Sequence, residues 1–176
     1  MRKKGGTIVY VRSIQECEQY AQKLGCAYYH TEAKNADEAA RMKDFLATFL
    51  AGYTDLIVCT AAAAAGLDRP DIRDVIHARL PYGLIEWAQA VGRTDRDGLP
   101  AEATICCSDT DIYRASTATN TPFVDDATLD GVQLRGFVQA GRCRREKMSR
   151  AMDADVWACG ELGKDTGCDT CDSTRA

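Results

Sequence analysis

TIVYVRSIQECEQYAQKLGCAYYH, residues 7–30, contains a complete strand–helix–strand unit. Thr7–Val11 is a short β-branched and aromatic run, the pattern of a buried strand. Ser13 precedes Glu16 by three residues, a capping-box spacing that opens a helix with Ile14, Cys17 and Leu24 turned inward. Gly25 ends that helix, and Cys26–His30 forms a second strand. The alternation continues. From Asp37 a helix carries Met42, Phe45, Leu46 and Phe49 at helical spacing, and Gly52 closes it. Leu56–Cys59, Asp74–Leu80 and Ala103–Cys107 supply three more strands. Strands alternating with helices of this length predict an α/β fold, a parallel sheet covered on both faces. Such sheets carry their working loops at the carboxyl ends of the strands. The loops concerned are Val11–Ser13, Thr60–Asp71, Leu80–Gly83 and the helix-to-strand region with Arg93 and Arg96.

With 176 residues and 45% hydrophobic composition, the chain builds one domain with a small appendage. No apolar run approaches the roughly 18 residues of a membrane span. The basic N-terminus MRKKGG leads into no signal peptide, because Glu16, Glu18 and Lys23 interrupt any apolar region. A reducing intracellular location is expected, nuclear in a eukaryote. Nine cysteines in such a compartment favour metal binding over disulfides. Cys17, Cys26, Cys59, Cys106 and Cys107 lie in apolar segments and read as small buried hydrophobes.

The net charge of −4 does not favour nucleic acid as such, but it is uneven. Residues 141–150 carry Arg142, Arg144, Arg145, Lys147 and Arg150 against Glu146, whereas the acids dominate after Arg150. A local basic patch binds phosphates despite an acidic total, although a charge run is also the ordinary face of a solvated helix. After Ala115 the composition shifts to a polar stretch without periodicity. The expected boundaries are therefore 1–115, a linker at 116–130, and a second unit at 131–176 that opens with a helix over Gly131–Met152.

QAVGRTDRDG, residues 89–98, sets Arg93 and Arg96 three apart behind Gln89. It is either a solvated turn or a pair of guanidinium groups meant for a phosphate. Its order relative to other segments bears on that choice. IVYVRS, then VCTAAAAAGLDRPDIRDVIHARLPYGLIEWAQAVGRTDRDGLPAEATI, resembles the second RecA-like lobe of superfamily-two helicases, and within these the RecQ family of DNA helicases. The T-x5-G-x-D-x-P segment, the V-I-H-x-x-L-P strand and the Q-x-x-G-R-x-x-R-D-G motif stand in the family's order and spacing. RCRREKMSRAMD and the cysteines after it are similar to the small zinc-binding subdomain that follows that lobe. Cys143, Cys159, Cys168 and Cys171 give C-x15-C-x8-C-x2-C, and four thiolates suit a closed tetrahedral structural zinc site.

The resemblance implies ATP hydrolysis in a cleft between two lobes, coupled to DNA strand separation. The first lobe would hold the phosphates and Mg2+, while the second lends arginines to the charge developing on the γ-phosphoryl. Gln89, Arg93 and Arg96 match those catalytic positions, with Arg96 the expected arginine finger. Gly66 and Asp68 match the nucleotide-linked motif, and Asp68 the position that couples nucleotide to DNA. Arg12, Ser13, Thr60, Arg144 and Arg145 match positions near DNA. Two departures stand out: Asp95 replaces a family glycine beside the arginines, and Ala64 replaces another. The 176 residues contain neither a G-x-x-x-x-G-K-[ST] phosphate loop nor D-E-x-H. Activity is therefore expected only with a first RecA-like lobe in cis or in trans. The alternative is a non-catalytic zinc-containing module that binds DNA or another partner.

Overall fold

The computed structural model describes residues 5–94, 96–111, 126–139, 141–153, 155–161 and 167–172. Its elements run β1 (Gly6–Val11), α1 (Ile14–Leu24), β2 (Ala27–Tyr29), α2 (Ala36–Leu50), β3 (Leu56–Thr60), a 3-10 turn (Ala61–Gly66), β4 (Ile72–His77), α3 (Leu84–Val91), β5 (Glu102–Ile105), α4 (Asp126–Val138), α5 (Arg144–Met152) and α6 (Asp169–Asp172). The chain divides into two compact units, Met1–Pro81 with Gln89–Cys107 and Tyr82–Ala88 with Ser108–Ala176.

The first unit is a five-stranded sheet in the order β2-β3-β1-β4-β5, with every pairing parallel. β1 lies at its centre, and successive β1 side chains enter opposite layers of the core. Ile8 and Tyr10 pack with Phe49, Ile57, Leu67 and Val75, whereas Val9 and Val11 pack with Cys17, Ala21 and Val58. Both faces are covered, as the alternating pattern requires. Each fully buried aliphatic or aromatic side chain contributes about 1.5–3 kcal/mol relative to exposure.

Helix ends follow local chemistry. The Ser13 hydroxyl accepts the Glu16 N–H at 3.1 Å, and Gly25 ends α1 in the left-handed conformation at φ 61°. Leu24, expected inward, is 49% exposed. It stands in the last turn of α1, and Ala21, one turn earlier, fills the inward position beside Cys17. β4 begins two residues earlier than its apolar run suggests, because Ile72 pairs with Gly6. It ends at His77, beyond which Arg79 turns out to meet Glu16 at 2.8 Å. Among the five cysteines read as buried hydrophobes, Cys17 and Cys59 are buried, Cys26 and Cys107 are half-buried, and Cys106 is exposed at the end of β5. Burial pushes the Cys17 thiol up to about 12, so it stays protonated.

Arg69 is 3% exposed and gathers several chain segments. It donates to the Phe49 carbonyl at 3.0 Å, the Thr54 carbonyl at 2.6 Å and the carboxylates of Asp55 and Asp71 at 3.3 and 2.5 Å. Its guanidinium also lies 4.9 Å from the Phe49 ring centroid. The end of α2, the approach to β3 and the approach to β4 are thereby tied at one point.

In the second unit the helix expected over Gly131–Met152 is two helices. α4 stops at Val138, and Cys143 starts α5 afresh as its N-cap residue. The Arg144 N–H then points at the Cys168 sulfur, 3.3 Å away, so a cluster of thiols replaces helix continuity. Asp130 of α4 accepts the Ile85 N–H at 3.0 Å and so caps α3. A Cβ at Gly83 would fall 1.7 Å from that carboxylate, so a larger residue there must displace the Asp130 side chain. Trp87 and Phe137 pack with ring centroids 6.1 Å apart. The Ser149 hydroxyl, 4% exposed, accepts the Trp157 N–H at 2.9 Å and pins the chain after α5. The expected linker lies mostly outside the described residues. No helix among the described residues is long and apolar enough to cross a membrane.

His77, at the end of β4, is 3% exposed and packs 4.8 Å from Tyr10. Burial lowers its pKa from 6.5 to about 4. Between those values the unfolded chain binds a proton that the folded chain refuses, so stability falls as pH drops through this window. The loss is expected to reach about 3 kcal/mol. Urea unfolding between pH 7 and pH 4 should show it, and His77→Gln should flatten the slope in that range; an unchanged slope would contradict the assignment.

Candidate functional site

The segment Gln89–Gly98 begins on the last turn of α3, where Gln89 is exposed. The chain then turns tightly: the Arg93 and Thr94 N–H groups bond the Ala90 and Val91 carbonyls at 3.2 and 2.9 Å. Arg93 donates through Nη1 to the Leu67 carbonyl at 3.1 Å. Its Nε is buried and has no acceptor among the described residues. Arg96 pairs with Asp68, and Asp97 pairs with Arg73. The Asp97 carboxylate also accepts the Leu99 N–H at 3.1 Å, and Gly98 takes φ 74°, a conformation favouring glycine. Arg73, chiefly, holds the Asp97 carboxyl below its usual range. The arginine turn is thus anchored through Asp97, while Arg96 reaches outward.

Arg96 and Asp68 are 39% and 81% exposed, so their pair contributes only about 0–1 kcal/mol. A phosphate can replace Asp68 at little cost. Asp95, expected to compete for the arginines, lies outside the described residues; the carboxylate on Arg96 is that of Asp68.

The placement of these groups corrects one expectation. Arg93 and Arg96 do not stand at the carboxyl edge of the sheet. A helix-to-strand connection in a parallel sheet returns to the amino edge, where Asp97 meets Arg73 in the first residues of β4. Leu67 and Asp68 lie just ahead of Arg69, which is fixed to the approach to β3. Arg12, Ser13 and Thr60 occupy the opposite edge, at the ends of β1 and β3. There the Arg12 guanidinium donates to the Leu80 and Pro81 carbonyls at 2.8 and 3.1 Å, joining two edge loops. The Ser13 hydroxyl is engaged in capping. Glu16 does not complete the box; its carboxylate takes the Arg12 N–H at 3.1 Å and the Arg79 guanidinium. The 3-10 turn, ending at Gly66, runs from one edge toward the other.

The second unit holds the other chemical cluster. The sulfurs of Cys143, Cys159, Cys168 and Cys171 all lie within 4.8 Å of one another and suit a metal ion. Burial raises the Cys143 thiol, but backbone N–H groups of Glu146 and Cys159 outweigh it and bring the pKa down to about 7. Cys168 is lowered in the same way, with the Arg144 N–H the first of its hydrogen bonds. Burial, then hydrogen bonds to those sulfurs, push Cys159 up to about 12, and such hydrogen bonds, chiefly, push Cys171 up to about 11. Two of the thiols are thus made more acidic and two less so, and a divalent cation would favour the thiolate form of all four by binding them together. Arg144 forks onto Asp169 at 3.0 and 2.9 Å and lies 5.6 Å from the Phe137 ring centroid. Its guanidinium therefore braces α4, α5 and α6, whereas Arg142, Arg145 and Arg150 lie exposed.

Residues 1–98 match the helicase conserved C-terminal domain. The chain belongs to that family. ATP-dependent DNA helicase Q-like 2 of Arabidopsis thaliana is 30% identical over 93% of this chain and 23% of its own length. RecQ-like DNA helicase blm-1 of Caenorhabditis elegans is 35% identical over 53% of this chain and 10% of its own. These relatives identify a RecQ-type superfamily-two helicase C-terminal lobe. The chain spans about a quarter of the length of the relatives that match it nearly end to end. Among solved structures, the Escherichia coli DEAD-box protein SrmB is similar in fold, with a TM-score of 0.54 and 20% identity over 72% of this chain and 79% of that one.

Three framework pairs escaped the reading of the sequence: Arg69 with Asp71 and Arg73 with Asp97 in the helicase lobe, and Arg144 with Asp169 in the second unit. The first left a trace in the R-P-D spacing, but nothing local linked the partners of the other two. The four-cysteine centre has a direct test. The chain purified under reducing conditions should carry a divalent metal ion at this centre, and Cys168→Ser with Cys171→Ser should lower the metal content by about one ion per chain. Elemental analysis after desalting reads both, and a double variant with the same metal content as its parent would contradict the site.

Proposed function

We propose that this chain is the second lobe of an ATP-dependent RecQ-type DNA helicase. It would supply Arg93 and Arg96 to a nucleotide held by a first RecA-like lobe, in cis or in trans. The observation that carries this reading is the arginine turn: Arg96 sits on an exposed, readily exchanged carboxylate, and Arg93 keeps a buried Nε without an acceptor. A guanidinium fork is a permanent charge suited to the equatorial oxygens of a transferring phosphoryl group. Arg96, the more exposed, is the finger. Arg93 steadies the turn against Leu67 and gains an acceptor when nucleotide arrives. Gln89, exposed one turn earlier, would orient the attacking water. Phosphate cradling and Mg2+ belong to the other lobe, because these residues provide no phosphate loop.

DNA would lie along the opposite edge, at Arg12, Ser13 and Thr60. The four cysteines would hold zinc as a closed structural centre, since all four donors are thiolates and none leaves a position for water. That centre, with exposed Arg142 and Arg145 on and beside α5, also supports a second reading, a non-catalytic module that grips DNA by its phosphates.

The two readings separate by turnover. Joined to the phosphate-loop lobe of a RecQ helicase, the chain should hydrolyse ATP, and Arg96→Ala should lower the rate by roughly 10³-fold or more. A fusion whose Arg96→Ala variant matches its parent would leave only the binding module.

A further inference from the structure

Away from the arginines and the cysteine centre, three acid or base side chains converge from three elements of the first unit. They are Glu18 of α1, His30 just after β2, and Glu38 in the first turn of α2. One ligating atom from each lies within 4.8 Å of the other two. His30 is 2% exposed, and neither ring nitrogen has a hydrogen-bond partner among the described residues. Buried imidazoles are ordinarily satisfied, so an unpartnered ring with one nitrogen beside a pair of carboxylates calls for a ligand. The ring stacks on Tyr28 with centroids 5.6 Å apart and planes 19° from parallel, which fixes its edge toward the acids.

The carboxylates are also oriented. Glu38 is 7% exposed, and its Oε2 accepts the Lys34 N–H at 2.6 Å. Its Oε1 has only long contacts, 3.4 Å to the Tyr28 hydroxyl and 4.0 Å to Arg41. Glu18 pairs with the Lys34 ammonium at 2.5 Å, but that lysine is 65% exposed and can swing away. The cluster thus brings two acids together around an imidazole nitrogen, with a removable cation beside them.

We propose that Glu18, His30 and Glu38 form a binding site for a zinc-class divalent transition-metal ion. Imidazole with two carboxylates suits zinc or cobalt, whereas calcium and magnesium require oxygen ligands throughout. Ligand atoms about 2.0–2.2 Å from such an ion stand roughly 3.5 Å apart, which small side-chain rotations achieve from the present spacing. Three protein ligands leave a fourth position to water. The ion displaces the Lys34 ammonium and joins α1, β2 and α2 at one point. The Lys34 N–H and the Tyr28 ring act as the supporting shell that holds ligands in place.

Cobalt distinguishes this site from the cysteine centre, because thiolate–cobalt bonds give charge-transfer absorption that nitrogen and oxygen ligands do not. The full chain, its cysteines first saturated with zinc, is titrated with Co2+. One further equivalent is expected, with weak visible bands and no thiolate absorption, and excess Zn2+ should displace it. Glu18→Gln, at a half-buried position, keeps the fold and should weaken this uptake at least tenfold; His30→Gln should do the same. No saturable cobalt uptake beyond the cysteine centre would overturn the proposal. So would an increase confined to thiolate absorption, or uptake undiminished in a folded Glu18→Gln chain.

Discussion

The buried guanidinium of Arg69 holds the first unit in register. A permanent charge 3% exposed is tolerated only when its donors are met, and Arg69 meets them with two carbonyls and two carboxylates. These partners belong to the end of α2, the approach to β3 and the approach to β4. Residues 61–71 leave the carboxyl edge of β3 and must arrive at the amino edge of β4. Arg69 fixes where they arrive, and the positions of Leu67 and Asp68 follow from it. Those two residues in turn receive Arg93 and Arg96.

This arrangement divides the lobe into two working edges joined by one segment. Thr60 begins the segment beside Arg12 and Ser13. Asp68 ends it beside Arg96. A strand on one side and a buried arginine on the other leave the intervening 3-10 turn little freedom to move without moving both ends. In the proposed helicase, that segment is the mechanical link between DNA and nucleotide. Asp97 performs the complementary task, because its bond to Arg73 holds the arginine turn while Arg96 remains exchangeable. Two ion pairs of similar composition therefore do opposite work, one half-buried and fixed, the other exposed and labile.

Much of this was legible in the sequence because the signals were local. The run TIVYV, the Ser13 cap and Gly25 report one strand and one helix boundary each, and the parallel sheet follows from their alternation. The C-x15-C-x8-C-x2-C spacing marked the four sulfurs that meet in the second unit. The failures came from distance. Arg93 and Arg96 were expected at the carboxyl edge, although a segment leading from helix to strand must lie at the other. The helix over Gly131–Met152 was expected unbroken, since nothing near Cys143 announces that Cys168 will sit against its first turn. Leu24 satisfied the apolar period yet stands where α1 has already left the sheet. His30 was simply the last residue of a strand until Glu18 and Glu38 appeared beside it.

In the proposed helicase, Asp68 would carry information from the DNA edge to Arg96. The most direct measurement is the ratio of ATP hydrolysis with and without single-stranded DNA, for the chain joined to a phosphate-loop lobe, comparing the parent with Asp68→Asn. Asp68 is 81% exposed, so the substitution spares the fold while removing the carboxylate charge that pairs with Arg96. The account predicts that basal hydrolysis survives within a few-fold while stimulation by DNA is lost. Stimulation equal to that of the parent would contradict it.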